Sequence, residues 1–557
     1  MLLIFFILNI CCLILNIVNY ISKKKGFSVT SLKLLIYVLF VVLLALFPFE
    51  IFSFLILEPE SVLNSFNENI IQISIFNLSI SFFGISIIFF FAGYIRIKNR
   101  IIKLNSPSFF NARKGSIKIG KVVKQSSKNY NFLLSLKDLE KHMFVCGSTG
   151  TGKSNFLQNF LINFTKLYDI PFFLVEFKGE YHFLQQKIRN TLILWPGENF
   201  SINIFNPENS NPLIHAERIF DILKSGKFLD ENADFSPQME KVLVEILIRV
   251  CENQNLQNWD GFFKLCEDYL QKNEASIPML KQTLISIRNR IRRFSNGPLR
   301  KIFESANQIS INQIFSMNVL LDLSSIIRLG GEKEDALFFL NMILKYLWDL
   351  NLTVGADKYN RIKHLTIIED AQYFAPQDLS KKLKITSYLE DIALLQRGTG
   401  ECLISLATRP NISNEILANC GVFISFQSHL QKDLMQELLN LEETEKNFIS
   451  ALDEGICIVR INSVKEPFLL WVPLIKRNKI TVSEIQKNNK LILKNFQNFR
   501  MKEKKSRKIN FLKSLESKKF GDLQNYNFNS YSNKQLSEYA TLQQYIKNLY
   551  EMQKKNK

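Results

Sequence analysis

Histidine is scarce in this chain. There are five in 557 residues, and no two of them stand at metal-ligand spacing. The eight cysteines are scattered without a single C-x-x-C pair. That pattern excludes a disulfide framework and a cysteine zinc site, and it fits a reducing compartment. Cys146, Cys402, Cys420 and Cys457 sit in or beside apolar, core-like stretches, and His142 reads as structural. Acids are also in deficit: 51 Asp and Glu against 70 Lys and Arg leave a formal charge of +19, which calls for an anionic partner, nucleic acid or a membrane surface. Hydrophobic residues, by contrast, make up 47% of the chain, enough for a large core shared among three or four domains.

The apolar content is concentrated at the start. Leu2 to Ile21, Leu34 to Leu57 and Ile71 to Ile95 are each long enough to cross a bilayer. The first has no basic leader and no small-residue cleavage site, so it reads as an anchor and not a removable signal. Lys23, Lys24 and Lys25 follow the first span, and Arg96, Lys98, Arg100 and Lys103 follow the third, while the intervening loop from Glu58 is acidic. The positive-inside rule then puts the N-terminus outside and everything after Arg96 in the cytoplasm. The expectation is a multi-pass protein of the cell membrane with its main body cytoplasmic. Glu50 reads as an interfacial acid at a helix end shortened by Pro48, with a proton relay as the alternative.

Beyond the spans, one stretch organises the chain: Cys146, Gly147, Ser148, Thr149, Gly150, Thr151, Gly152, Lys153, Ser154. An apolar run precedes it and a helical pattern, Asn155 to Leu167, follows, the context a phosphate-binding loop needs. Glycines let backbone N–H groups approach phosphate oxygens, and the next helix directs its positive end at the same charge. Gly147 through Ser154 are therefore candidate nucleotide ligands. Lys153 is expected to reach the β- and γ-phosphates of ATP, and the Ser154 hydroxyl to hold Mg²⁺.

Apolar runs at Pro171–Phe177, Leu192–Leu194, Asn318–Ser324, His364–Ile368, Cys402–Ala407, Gly421–Phe426, Ile456–Ile461 and Phe468–Val472 alternate with helical patterns, predicting a parallel sheet covered on both faces. The last of these runs is expected to close the sheet. The strand at His364 ends in Glu369 and Asp370. In a phosphate-loop fold one such acid binds Mg²⁺ and the next polarises the attacking water, so Glu369 is assigned to the metal and Asp370 to the water. Thr408 at the tip of the following strand is a candidate γ-phosphate sensor. Arg397, after a helix expected from Asp378 to about Gln396, is a candidate arginine finger acting across a subunit boundary, with a helix-dipole role as the alternative. Between Pro212 and Ser305 strand signals stop. A helical block there carries Arg288, Arg290, Arg292 and Arg293, available to DNA phosphate, a neighbouring subunit or solvent. From Lys476 to Lys519 fifteen basic residues stand against three acids, a tail suited to nucleic acid, an anionic membrane face or solvent. Leu536, Tyr539, Leu542, Ile546 and Leu549 form a last amphipathic pattern.

The loop from His142 to Ser154 resembles that of the HerA/FtsK superfamily of ring ATPases. Three further stretches agree in order: Glu176-Phe177-Lys178-Gly179-Glu180-Tyr181, Glu369-Asp370-Ala371-Gln372, and Arg397 followed by Thr408-Arg409-Pro410. The chain departs from the family pattern at Phe177, where proline is usual, at Gln372, where histidine is usual, and at Thr408, where glutamine is usual. The resemblance covers about residues 115–475 and implies a RecA-like P-loop NTPase fold, a homo-hexameric ring, ATP hydrolysis between subunits and pumping of double-stranded DNA. With three membrane spans where HerA proteins carry a β-barrel, the layout looks more like FtsK or the coupling ATPases of conjugation and type IV secretion. The expected α/β architecture is a membrane anchor (1–100), a first core segment (101–210), an all-helical insertion (211–305), a second core segment (306–475) and a basic tail (476–557). Alternatives are a secretion-type motor that moves protein or nucleoprotein, and a slowly hydrolysing ATP-binding scaffold.

Overall fold

A computed structural model describes residues 104–498, apart from 125–126, 209, 226–234, 298, 305–310, 356–361 and 378–387, together with isolated positions 84 and 102. The three expected membrane spans, the tail beyond residue 498 and its final amphipathic pattern lie outside the described residues. Among the described residues no helix is long and apolar enough to cross a membrane. The chain divides into two compact units, Met1–Ile485 and Gln486–Lys557, and the described part of the second is helical.

Among the described residues, eleven strands of the first unit form one sheet in the order β2-β1-β11-β10-β9-β3-β8-β7-β4-β6-β5. They are β1 (Ile117–Lys124), β2 (Ser127–Leu134), β3 (His142–Cys146), β4 (Phe172–Glu176), β5 (Thr191–Leu194), β6 (Asn318–Asp322), β7 (His364–Ile368), β8 (Glu401–Ala407), β9 (Cys420–Ser425), β10 (Ile456–Ile461) and β11 (Val464–Trp471). From β9 across to β5 every pairing is parallel, whereas β10, β11, β1 and β2 extend the other side by antiparallel pairing. The sheet is thus mixed where a parallel one was expected. The run at Phe468 does not close it: β11 lies between β10 and β1, and the β1–β2 hairpin adds two more strands beyond it. Edge strand β2 begins with exposed Ser127, Lys128 and Asn129, polar groups that discourage pairing with another chain.

The central strands are short and buried on both faces, which is why they read as unbroken apolar runs: every residue of β3, β4, β7, β8 and β9 is buried. Helix α1 (Lys153–Thr165) follows β3 and buries Phe156, Leu157, Phe160, Leu161 and Phe164. Phe160 stacks between Phe156 and Phe164 along one helix face.

Four longer helices stand between β5 and β6: α2 (Pro212–Ser225), α3 (Pro237–Glu252), α4 (Trp259–Asn273) and α5 (Leu280–Ser295). Ser236 caps α3 by accepting from the Met239 N–H, with Pro237 at the first helical position, the start its sequence predicts. The basic residues of α5 find partners within the chain. Arg288 lies 3.7 Å from Glu267 and over the Phe263 ring, Arg290 donates to the Ser286 carbonyl, and Arg293 pairs with Asp335 at 2.9 Å. Exposed Arg292 is the remaining member of the set. Asp335 belongs to α6 (Lys333–Val354), which also packs against α2. Of the helix expected from Asp378, the described part is α7 (Tyr388–Leu395), and residues 378–387 lie outside the described residues.

Candidate active site

The phosphate-binding loop runs from the end of β3 to the start of α1. Gly147, Gly150 and Gly152 all have positive φ, of 152°, 81° and 122°. A Cβ on Gly147 would stand 2.6 Å from Phe426 Cβ, so this glycine is required by packing as well as by conformation. At Gly150 the space is open. The Ser148 N–H donates to the Gln427 carbonyl at 2.8 Å, and the Gly455 N–H donates to the Thr151 carbonyl at 3.1 Å. The loop is therefore held from behind by the ends of β9 and the turn into β10. Helix α1 has no side-chain cap and no acid in its first turn, so its N-terminal N–H groups and the positive end of its dipole are left for an anion.

Lys153 is buried and curls back over the loop, donating to the carbonyls of Gly147 at 2.6 Å and Ser148 at 3.0 Å. Burial lowers its pKa, opposed by Cys146, Asp370 and Glu369. The Cys146 thiol behind it is pushed up to about 12 by burial, with Lys153 pulling the other way.

Strand β8 separates β3 from β7, and the tips of all three converge. Ser154 Oγ donates to Glu369 Oε1 at 2.9 Å, and the Tyr181 hydroxyl donates to the same oxygen at 3.2 Å. Glu369 Oε2 is buried without a hydrogen-bond partner. Burial raises the Glu369 pKa, and the Ser154 hydrogen bond and Lys178 oppose the rise. Asp370 adopts the left-handed conformation, φ 53°, uncommon for a non-glycine residue and the kind of strain that collects at functional sites. One of its oxygens is 3.2 Å from Lys178 Nζ; the other accepts from Gln372 Nε2 at 3.4 Å. Gln372 Nε2 also reaches Thr408 Oγ1 at 3.4 Å. Thus Gln372 and Thr408, both departures from the family pattern, touch each other. Phe177, where the family has proline, stacks on Phe374 beyond the acids at 5.6 Å.

The turn after β4 is built by its own acid: Glu176 Oε2 accepts from the N–H groups of Lys178 and Glu180 at 3.2 and 3.0 Å. Burial pushes the Glu176 carboxyl up to about 8, with Asp322 and Glu369 adding to the rise.

Lys153, Ser154, Glu369, Asp370 and Thr408 are thus brought together. Arg397 lies in the backbone turn Gln396–Thr399, and its side chain is outside the described residues. His142 has both ring nitrogens on backbone, one at the Ala393 carbonyl and one accepting from the Leu403 N–H. Tyr181, the last residue of the stretch that resembles the family's turn after β4, joins the site, and Phe426, Gln427 and Gly455 complete it without having been singled out from sequence. Gly455 is one turn glycine among many, and nothing local marks Phe426 or Gln427 as neighbours of a loop nearly three hundred positions upstream.

The residues present fit a nucleotide with Mg²⁺. Glycines clear the loop, a buried lysine lies within it, and beside the Ser154 hydroxyl a buried carboxylate oxygen lacks a partner. A phosphate loop and an acidic strand tip meeting on this sheet define a P-loop ATPase core. Residues 117–347 match the family described as helicase HerA, central domain, and this part of the chain is similar to HerA/FtsK-type ATPases. The chain is 24% identical over 351 residues to the DNA import protein CedB of Sulfolobus acidocaldarius, covering 61% of this chain and 53% of that protein. The chain thus spans about half the length of that relative. Among solved structures, the plasmid coupling protein TrwB in complex with the ATP analogue ADPNP has a TM-score of 0.50 at 12% identity, over 68% of this chain and 97% of that one. VirB4 of Thermoanaerobacter pseudethanolicus has a TM-score of 0.49 at 14% identity, over 67% and 99%. At 12% identity the likeness to TrwB is one of fold.

Proposed function

We propose that this chain is a membrane-anchored ring ATPase that couples ATP hydrolysis to movement of double-stranded DNA. The observation that carries the ATPase reading is the Ser154–Glu369 hydrogen bond at 2.9 Å with Asp370 next in sequence, which joins the phosphate loop to the acidic strand tip. In this reading the backbone from Gly147 to Gly152 cradles the phosphates of ATP, and Lys153 swings from the loop carbonyls to the β- and γ-phosphates. Mg²⁺, when bound, neutralises charge on those phosphates, with Ser154 and Glu369 as the residues that hold it. Asp370, fixed by Lys178 and Gln372, orients the attacking water and accepts its proton. Thr408, joined to Asp370 through Gln372, reports the γ-phosphate to β8. Arg397 acts on the site of a neighbouring subunit in a homo-hexamer.

DNA as cargo is supported by the DNA import protein among the relatives and by the basic balance of the chain. Anchoring by the first hundred residues is supported by three apolar runs and the placement of their flanking lysines and arginines. A conjugation or type IV secretion apparatus is the assembly such a motor would serve.

The test is ATP turnover by the full-length protein in detergent, with and without double-stranded DNA, at low and moderate salt, beside Lys153→Ala. Turnover stimulated by DNA, weakened by salt and abolished in the variant is expected, because each neutralised phosphate releases counterions. Turnover indifferent to DNA would transfer the cargo to protein. ATP binding without turnover would leave a scaffold.

A further inference from the structure

Glu176, His182 and Asp322 are not used by the chemistry above, yet they face one another. Glu176 ends β4 and Asp322 ends β6, adjacent strands in which these two residues are in direct register. His182 comes back against both from just beyond the β4 turn. Its Nε2 is 3.0 Å from Asp322 Oδ2 and 3.9 Å from Glu176 Oε1. One ligand atom from each residue lies within 4.8 Å of the others.

The cluster contains a fully buried oxygen without a hydrogen bond. Glu176 Oε2 is engaged by the turn N–H groups, whereas Oε1 has no hydrogen-bond partner and stands on the side of the imidazole. The imidazole Nε2 carries at most one proton, and at 3.0 Å it faces Asp322. A cation between the three groups would satisfy both acids and the ring nitrogen together.

We propose that Glu176, His182 and Asp322 form a binding site for a divalent transition metal of the Zn²⁺ or Mn²⁺ class. One imidazole nitrogen with two carboxylates suits these ions, whereas Mg²⁺ prefers oxygen alone. The surroundings supply the outer contacts that orient metal ligands. Trp195 Nε1 donates to Asp322 Oδ2 at 3.0 Å, and its ring meets the His182 ring edge-on at 5.5 Å. The Ser324 N–H donates to Asp322 Oδ1 at 2.9 Å. The His182 side chain is 21% exposed, which gives an ion a way in and a water a place to complete the coordination. The bound ion would tie the tips of β4 and β6 to the turn that presents Lys178 to Asp370, a structural role distinct from that of the nucleotide's Mg²⁺.

The experiment is metal analysis of the full-length protein, stripped with chelator and dialysed against Zn²⁺ or Mn²⁺ without nucleotide, with excess Mg²⁺ present throughout. The wild type and Ser154→Ala are both expected to retain about one equivalent, so retention does not rest on the residues that would hold the nucleotide's Mg²⁺. Glu176→Gln and His182→Ala are expected to weaken binding by about tenfold or more, with His182→Gln as the second variant should His182→Ala fail to fold. No retained metal in the wild type overturns the proposal, as does equal retention by the Glu176 and His182 variants.

Discussion

Lys178 and Gln372 hold Asp370 from two sides, and this arrangement matters more than either bond alone. The Lys178 ammonium is pulled down by burial, but Asp370 and Glu369 outweigh this and leave it raised, so it stays charged where it meets the acid. The carboxylate it faces is bent into a left-handed backbone that few side chains accept. Two substitutions separate the roles proposed for the acid pair. Asp370→Asn is expected to lower turnover by about 10²–10⁴-fold with little loss of ATP binding, because a positioned base contributes to the step and not to the ground state. Glu369→Gln is expected to lower turnover and also raise the Mg²⁺ concentration needed for nucleotide binding, since Glu369 is the acid that meets Ser154. Steady-state kinetics with a fluorescent ATP analogue checks both.

Elements fail or hold here through their packing on neighbours. The phosphate loop rests on Phe426 and the Gly455 turn, so its shape depends on β9 and β10 as much as on its own glycines. Gly147→Ala places a methyl against Phe426 at a backbone conformation that L side chains avoid. A loss of about 1–3 kcal/mol of stability is expected, with weakened nucleotide binding, measurable by thermal melting with and without ATP. The joint between α2 and α6 is polar: His215 Nε2 donates to the Ile204 carbonyl at 2.8 Å while Lys345 donates to Nδ1. Burial and then Lys345 lower the His215 pKa to about 3, against the pull of the Ile204 carbonyl. An unfolded histidine takes up its proton near pH 6.5, so between there and pH 3 the unfolded state binds the extra proton and is favoured. Stability is therefore expected to fall through that window as pH drops, by up to roughly 5 kcal/mol from this residue. In His215→Gln the acid limb of a melting-temperature profile is expected to flatten by about one proton's worth of slope.

At the scale of the whole molecule, burial governs the cysteines. The six described cysteines are free and buried, and burial raises all their thiols, Cys251 and Cys266 to about 12. They are expected to resist thiol reagents at neutral pH until denaturant is added, as a timed thiol titration would show. The sheet order sets the geometry of the candidate site: β8 between β3 and β7 spaces the phosphate loop from the acidic tip and carries Thr408 beside Gln372. The same order places β4 and β6 together, which is how Glu176 and Asp322, 146 positions apart, come to face one His182.

The phosphate loop, its helix and the central strands were legible because each is specified by residues close together in the chain. Glycines, Lys153 and Ser154 stand within a few positions of one another, and strands buried on both faces leave continuous apolar runs. Glu369 and Asp370 were legible for the same reason, at the end of such a run. The mixed sheet was not, because antiparallel and parallel strands with similar burial have similar sequences, and the choice lies in which distant strands pair. Nor were the intrachain partners of Arg288 and Arg293, since a charged helix face looks alike whether it meets solvent or a neighbouring helix. The sequence by itself determined a nucleotide loop, an acidic strand tip and their order. Only the tertiary structure decided what closes around them: Phe426 behind the loop, Tyr181 on Glu369, Gln372 between Asp370 and Thr408, and the Glu176–His182–Asp322 cluster. These contacts depend on side chains brought together from separate elements, such as Tyr181 and Glu369 or Gln372 and Thr408, and no local pattern encodes such a meeting.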